Sequence, residues 1–459
     1  MESNTSSEAN PTPQPATKAK ESKLSFSMKI LLKLLIIFSL SLLLLIPKVM
    51  ISNLIDEREQ TSQEAKEDIA KKWGKSQCVA GPFICIPAKY NKDKTAKLTD
   101  DLIIFPETFE ISGEINTQSL HRGIYDVAVY SAPFDVKGSF RLPEELNRDN
   151  LAKNYELEQA QFMFFIRQLR GLNDYVVFTT PQQKQRMLST KDNRYLACEA
   201  DMQQLLNGDT IAYSLLLDLK GSEGLYLLPV GSTSNARISS NSTAPSFTGF
   251  LPDNREINEK GFTADWNVIA LNRTFAQTLP LETFEDDILA DAGYRYSNDN
   301  DLKTMDDFMG ISLKTGVNQY QQNTRANKYA YLIIILTFIT VLFVEIRKEN
   351  PIHLVQYLLV GIALVLFYTL LLSFSEFLAF GWAYLIAAAM TIGLITAYMA
   401  AILKIRKTAF TIGALMSALY IYIYILLSME TFSLLAGSIG LFIILALIMV
   451  ASQKINWYK

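Results

Sequence analysis

The chain has 459 residues, 49% of them hydrophobic and 19% charged, with 43 basic against 46 acidic side chains and a formal net charge of -3. So even a balance leaves no basic face of the kind that a nucleic-acid partner needs, and no such partner is expected. The apolar residues are unevenly spread, crowding one run near residue 30 and five more between residues 327 and 453, with a long polar stretch between.

Residues 1–29, rich in Ser, Pro, Thr and Lys, cannot bury enough surface to offset chain entropy and are expected to be a disordered cytoplasmic tail. The first apolar run, residues 30–50, would be ~30 Å long as a helix, enough to cross a hydrocarbon core. It continues into Pro47, Lys48, Val49 and Met50 without a small-x-small cleavage site, so it reads as a retained transmembrane anchor and not as a signal peptide. Beyond it, Ile51, Leu54, Ile55, Ala65, Ile69 and Trp73 recur at helical intervals, with Glu67/Lys71 and Asp68/Lys72 as i,i+4 pairs. The helix is therefore expected to run on as a stalk.

From Asp101 the pattern turns to alternation. Residues 102–115 and 123–142 read as half-buried strands, as do 175–178, 211–219, 225–230, 236–239 and 262–271. A helix is expected over 157–172, LEQAQFMFFIRQLRGL. Residues 51–326 thus form a stalk and a β-rich, mainly antiparallel α+β domain large enough to bury its own core. Its cysteines are Cys78, Cys85 and Cys198. In an oxidising compartment Cys78 and Cys85 are near enough in sequence to pair, stabilising by roughly 2.5 kcal/mol in the chain-entropy model. The alternative is three reduced, buried thiols, since spacing alone does not establish geometry.

The later apolar runs, 327–346, 352–374, 378–403, 409–429 and 432–452, make residues 327–453 a five-helix transmembrane bundle, six crossings in all, with 454–459 as a second short tail. Lys18, Lys20, Lys23, Lys29, Arg347, Lys348, Lys404, Arg406, Lys407, Lys454 and Lys459 fall on one side of that arrangement. The connections Ser375-Glu376-Phe377 and Glu430-Thr431 have no basic residue. Both termini are then cytoplasmic, and residues 51–326 face the periplasm.

Within the spans, Lys33 is expected to snorkel toward the cytoplasmic face. Glu345, Glu376 and Glu430 are placed at span ends, in the interface. Ala389, Gly393, Ala397 and Ala401 repeat every four residues, and Ser433, Gly437 and Gly440 add small groups to the last span. Small stripes let backbones approach, so packing inside the bundle is expected, with a homodimer face as the alternative. Tyr420, Tyr422 and Tyr424 read as an aromatic belt or a bundle contact.

Signatures of chemistry are missing from the sequence. His121 and His353 fall in different compartments, and there is no HExxH, Cys-x-x-Cys, GxSxG or GxxxxGK pattern. No catalytic residue, metal ligand or cofactor-binding residue is assigned. Asp299 and Asp301 alternate like calcium ligands but lack the central Gly and terminal Glu of a helix-loop-helix site, so a solvated loop is expected.

Four segments carry a family likeness: the stalk sequence LIDEREQ, then HRGIYDVAVY, then DLKGSEGLYLLPVGSTSNARISSNSTAPSFTGFLPDNREINEKGFTADWNVIALNR, and finally IHLVQYLLVGIALVLFYTLLLSFSEFLAFGWAYLIAAAMTIGLITAY. In order and topology, from about residue 51 to 458, the chain resembles the CreD family of bacterial inner-membrane proteins. The resemblance implies a role in cell-envelope integrity and stress response, with expression under a two-component regulator. It brings no catalytic residue with it. The longer polar tail and the acidic segment 285–307 depart from the family pattern. The expected function is that of a non-enzymatic inner-membrane protein whose periplasmic domain binds a partner or cell-wall component. A channel or transporter for an uncharged or small solute, with an accessory domain, is the alternative, and an enzyme with an unfamiliar site the third.

Overall fold

A computed structural model describes residues 26–90, 97, 99–123, 125–290, 306–313, 319–348, 351–429 and 433–453. Most of the N-terminal tail, Asp299, Asp301, Glu430 and residues 454–459 lie outside the described residues. The chain divides into two compact units, one of Met1–Asp56 with Gln319–Lys459 and the other of Glu57–Asn318.

Helices α1 (Phe26–Leu43) and α2 (Leu45–Trp73) follow each other with only Leu44 between them. The ladder is carried across by Leu44 donating to Leu40 at 3.0 Å and Lys48 to Leu44 at 3.4 Å. Pro47, with no N–H to offer Leu43, accounts for the weak point. The expected stalk helix therefore extends to Trp73.

In chain order the strands are β1 (Gln77–Ile86), β2 (Leu102–Ile104), β3 (Thr108–Arg122), β4 (Tyr125–Phe140), β5 (Gln161–Ile166), β6 (Val177–Thr179), β7 (Lys184–Arg186), β8 (Leu188–Ser189) and β9 (Tyr195–Glu199). They continue with β10 (Ile211–Ser222), β11 (Gly224–Leu227), β12 (Thr233–Ser240), β13 (Ser246–Gly249), β14 (Asn254–Asn258), β15 (Gly261–Ile269), β16 (Thr278–Pro280) and β17 (Met309–Ser312). Between them lie the short helices α3 (Arg148–Asn154), α4 (Gln203–Asn207) and α5 (Leu281–Thr283).

One sheet runs β13-β17-β11-β1-β5-β9-β8, with β2 and β16 branching from β1; the other runs β14-β15-β12-β3-β4-β10-β6-β7. Pairing is antiparallel except for β1 with β11 and β3 with β12. The sheets pack face to face through large side chains. Phe162 of β5 stacks on Phe178 of β6 at 4.4 Å between ring centroids and tilts against Phe140 of β4 at 5.4 Å. The eight-stranded sheet alternates: along β10 and β12, residues pointing into the core are buried and their neighbours are open to solvent.

The helix expected over 157–172 is not there. Its apolar centre is β5, a central strand between β1 and β9, with Phe162 through Ile166 all buried. A strand covered on both faces loses alternation and becomes a short continuous apolar run, which imitates a helix segment. Strand β1 is buried along its whole length for the same reason.

Within the β-rich unit, the end of α2 is fastened to the sheets. Asp68 pairs with Arg122 and, at 3.0 Å, with Lys72; Lys71 lies 3.7 Å from Glu67. The Trp73 indole donates to the Tyr130 carbonyl at 3.3 Å, under the Lys220 ammonium at 5.2 Å. Gly74, at φ +147°, turns the chain into β1, where a Cβ would stand 2.8 Å from the Lys220 carbonyl.

In the other unit the helices are α6 (Gln319–Lys328), α7 (Ala330–Lys348), α8 (Leu354–Ser375), α9 (Phe380–Leu403), α10 (Arg406–Ser428) and α11 (Ser433–Gln453). Among the described residues five helices can span a membrane by length and composition: Leu31–Trp73, Ala330–Arg347, Leu354–Ser375, Phe380–Leu403 and Arg406–Ser428, with Leu435–Val450 a shorter apolar helix. Leu35, Phe38, Trp382, Phe410, Ile421 and Phe442 are all more than 60% exposed, a coat that water would not tolerate and lipid would solvate. Ile37, Leu40, Leu44, Ile51 and Ile55 bury one face of the first helices in this unit. Leu44 fits because residue 361 is glycine; a Cβ there would lie 2.3 Å from its Cδ1.

The small stripe of α9 is turned the other way from expectation. Ala389, Gly393, Ala397 and Ala401 are exposed, and nothing lies within 4 Å of a Cβ built on Gly393. Spacing identified a common face but not its direction; the opposite face, with Ala383, Ala387, Ile395 and Met399, packs into the core. Gly440 of α11 does make a contact, receiving Tyr422, whose hydroxyl donates to the Gly437 carbonyl at 3.2 Å.

All three cysteines are free and buried. Cys78 and Cys85 stand on one extended strand, about 20 Å apart by the rise of a β-strand, against the roughly 5.5 Å that a disulfide bridges. Burial pushes the thiols of Cys85 and Cys198 up to about 12, and that of Cys78 upward too. Since the thiolate is the reactive form, raised values leave almost none of it at pH 8. Folded protein is expected to resist maleimide at that pH and to take up three labels only after denaturation, with no reductant; mass spectrometry reads the count, and labelling of the native form would contradict this packing.

Candidate functional site

The helical unit holds a carboxylate inside its core. Glu345, one turn from the end of α7, has a side chain only 6% exposed. Its Oε1 accepts from the Lys33 ammonium of α1 and from the Ile352 amide at 3.1 Å, and its Oε2 accepts from the Tyr357 hydroxyl of α8 at 2.9 Å. Three helices thus converge on one anion. Glu345 stands near the end of its span, as expected, but as the acceptor of an ion pair with a part-exposed Lys33, a partnership that the reading of either residue by itself had not included. The chain after α7 folds back through buried Ile352, whose amide covers the carboxylate and closes off the water a span-end glutamate would otherwise meet. The sequence did carry a signal, since opposite charges stood in two separate apolar runs, but Tyr357 and the amide carried none. Glu376 is the C-cap of α8, half-buried at the end of its span as expected.

Away from this centre the helical core is filled by rings. Phe367 is met edge-on by Tyr368 at 4.8 Å, Tyr420 at 4.9 Å and Tyr384 at 5.5 Å. The Tyr384 hydroxyl donates to the Tyr420 carbonyl at 2.8 Å, and Tyr424 lies 5.3 Å from the Tyr384 ring. Tyr420, Tyr422 and Tyr424 are bundle contacts. The Tyr368 and Tyr420 hydroxyls are buried without a hydrogen-bond partner among the described residues.

In the β-rich unit the solvent side of the eight-stranded sheet carries a groove of about 660 Å³. Register builds it. Asn267, Asn235, Glu110 and Lys137 lie side by side across β15, β12, β3 and β4; two residues along, Asp265, Arg237, Ser112 and Asp135 make a second row. Arg237 donates to Asp265 at 2.7 Å and Lys137 to Asp135 at 2.5 Å, while Asp253 accepts the Asn267 amide at 2.7 Å. The Glu110 carboxylate has no hydrogen bond or ion pair among the described residues. These residues come from four distant stretches, so no motif announces them. A second depression, about 550 Å³ beside Lys71, Gln168 and Arg170, is where Arg170 donates to the Lys71 carbonyl at the end of α2, a structural contact.

The histidines have ordinary employment. His121 pairs with Asp126 on the exposed β3–β4 hairpin, and His353 caps α8, accepting from the Val355 amide at 3.3 Å while Gln356 returns a bond to its own amide. Among the described residues no group of three or more His, Cys, Asp or Glu side chains is placed to hold a metal ion. Arg273 is a buried cation that sequence reading did not single out. It gives its Nη1 to the Pro229 and Val230 carbonyls and its Nη2 to Gln277, and burial lowers it to about 10.

Apolar helices sheathed in exposed hydrocarbon, a buried ion pair among them and a β-rich unit define a multi-pass α-helical membrane protein with a large domain in its first loop. The family model described as inner membrane protein CreD matches residues 29–458. The chain belongs to the CreD family of inner-membrane proteins. Inner membrane protein CreD of Escherichia coli strain K12 is 30% identical over 437 residues, 91% of each chain. Among solved structures, an M1 zinc metallopeptidase from Deinococcus radiodurans matches 36% of this chain and 38% of its own at 10% identity, with a TM-score of 0.19.

The buried pair generates a sharp expectation. Lys33→Met leaves the Glu345 carboxylate without its cation and should cost about 1–3 kcal/mol, more than the double change Lys33→Met with Glu345→Leu, which removes both charges. A double-mutant cycle on unfolding of the purified protein reads the coupling; strict additivity would show that the two side chains act independently.

Proposed function

We propose that the protein supports cell-envelope integrity and the stress response without catalysing a reaction, by presenting the β-rich unit to a partner in the periplasm from a multi-pass anchor. The observation that carries this reading is the polar groove on the eight-stranded sheet, sized for a ligand and rimmed by side chains held in register. Placement outside the membrane rests on the basic residues, which collect in the short connections and not in those containing Glu376 or Glu430. Six crossings, with both termini in the cytoplasm and residues 51–326 in the periplasm, follow from that distribution.

Tethering suits the helical core better than solute passage does. Rings fill the space around Phe367, and the buried carboxylate of Glu345 is spoken for by three donors. The unpartnered Tyr368 and Tyr420 hydroxyls favour the second reading, a pathway for an uncharged solute. The exposed stripe on α9 is the face through which two copies would associate.

A photo-crosslinking residue placed at Asn235 in intact cells is expected to capture a defined species, while one at exposed Lys191 captures none. No specific capture from Asn235, together with solute flux through purified protein in vesicles, would replace this reading with the second.

A further inference from the structure

We propose that the groove receives an ammonium group carried on a peptide segment of a partner protein. The inference rests on the reading above, that the β-rich unit binds a partner, and adds the chemistry. Glu110, Asp135, Asp253 and Asp265 line the groove against only Lys137 and Arg237, two carboxylates in excess. Both cations are engaged, Arg237 by Asp265 at 2.7 Å and Lys137 by Asp135 at 2.5 Å.

Register sets Glu110 directly opposite Lys137, and yet the lysine turns along its own strand to Asp135. Glu110 is left as the spare acceptor on a middle strand, beside Asn235. An incoming ammonium group pairs with Glu110 and offsets half of the excess charge, and the side-chain amides of Asn235 and Asn267, each both donor and acceptor, suit the N–H and C=O groups of a peptide. The excess charge reaches about 10 Å into solvent at 0.1 M salt, so it also sets which partners approach. An acidic segment is repelled. An apolar helix is disfavoured, because both rows present polar side chains to solvent up to Leu216, strongly exposed beside Asp135.

The test uses the full chain in nanodiscs of zwitterionic lipid, with a fluorescent alternating Ala-Lys hexapeptide as probe, an Ala-Glu hexapeptide and maltohexaose as comparisons, and Glu110→Gln and Glu145→Gln as variants. The Ala-Lys peptide should bind in a salt-sensitive manner, about tenfold more weakly to Glu110→Gln and unchanged to Glu145→Gln, with neither comparison ligand bound. Equal affinity for the two variants, or binding of maltohexaose in place of the peptide, overturns the proposal. Because Glu110 is exposed, Glu110→Gln should keep the parent's unfolding midpoint. Capture of an uncharged or acidic species at Asn235 in cells would remove this inference and leave the partner-binding reading standing. Glu110-dependent peptide binding with nothing captured in cells would instead remove the reading on which it rests.

Discussion

A carboxylate closed off from solvent must find its hydrogen bonds inside the protein, and at Glu345 that demand draws three helices together. A lysine, a phenol and a backbone amide from separate elements arrive on the one side chain. The lysine belongs to α1, the phenol to α8 and the amide to the turn between α7 and α8. Apolar side chains alone would hold those elements with little preference for rotation or depth, because lipid solvates a leucine as readily as another leucine does. The ion pair supplies what greasy packing lacks: a fixed azimuth for α1, matched by the insertion of Leu44 at Gly361. Stability is the weaker part of its contribution, since taking the carboxylate out of solvent consumes most of what the attraction returns.

The β-rich unit solves a different problem with the same means. There, register does what the ion pair does in the helical unit. Parallel pairing of β3 with β12 brings Ser112 beside Arg237 and Glu110 beside Asn235, so a surface assembled from four remote stretches has defined spacing. The polar rows are stiff because the opposite side of each strand is sunk in the core, Ile111 and Ala236 among them.

How much of this was legible beforehand depends on whether the signal was local. Apolar runs long enough to cross a bilayer, the helical stalk to Trp73 and the alternating strands β3, β4, β10 and β15 all announce themselves within a dozen residues, and all are present. Strand β5 was mistaken for helix because burial on both faces erases the two-residue period, and β1 passed unnoticed for that reason. α3 and α4 are too short to show a helical period; α3 begins under the side chain of Asn147, a cap visible only once the chain is folded. For α9 the four-residue repeat was real, but periodicity carries no information about which side meets protein. The groove, and Tyr357 and the Ile352 amide as partners of Glu345, were beyond reach, since no local pattern marks them.

The β-rich unit reaches its final state with no sulfur-sulfur bond, its three thiols enclosed between strands and kept protonated by their surroundings. Its assembly therefore makes no call on oxidative folding enzymes, and no disulfide is present for a change in redox poise to open. A bleach or peroxide challenge that scrambles cross-linked neighbours would find nothing here to reshuffle.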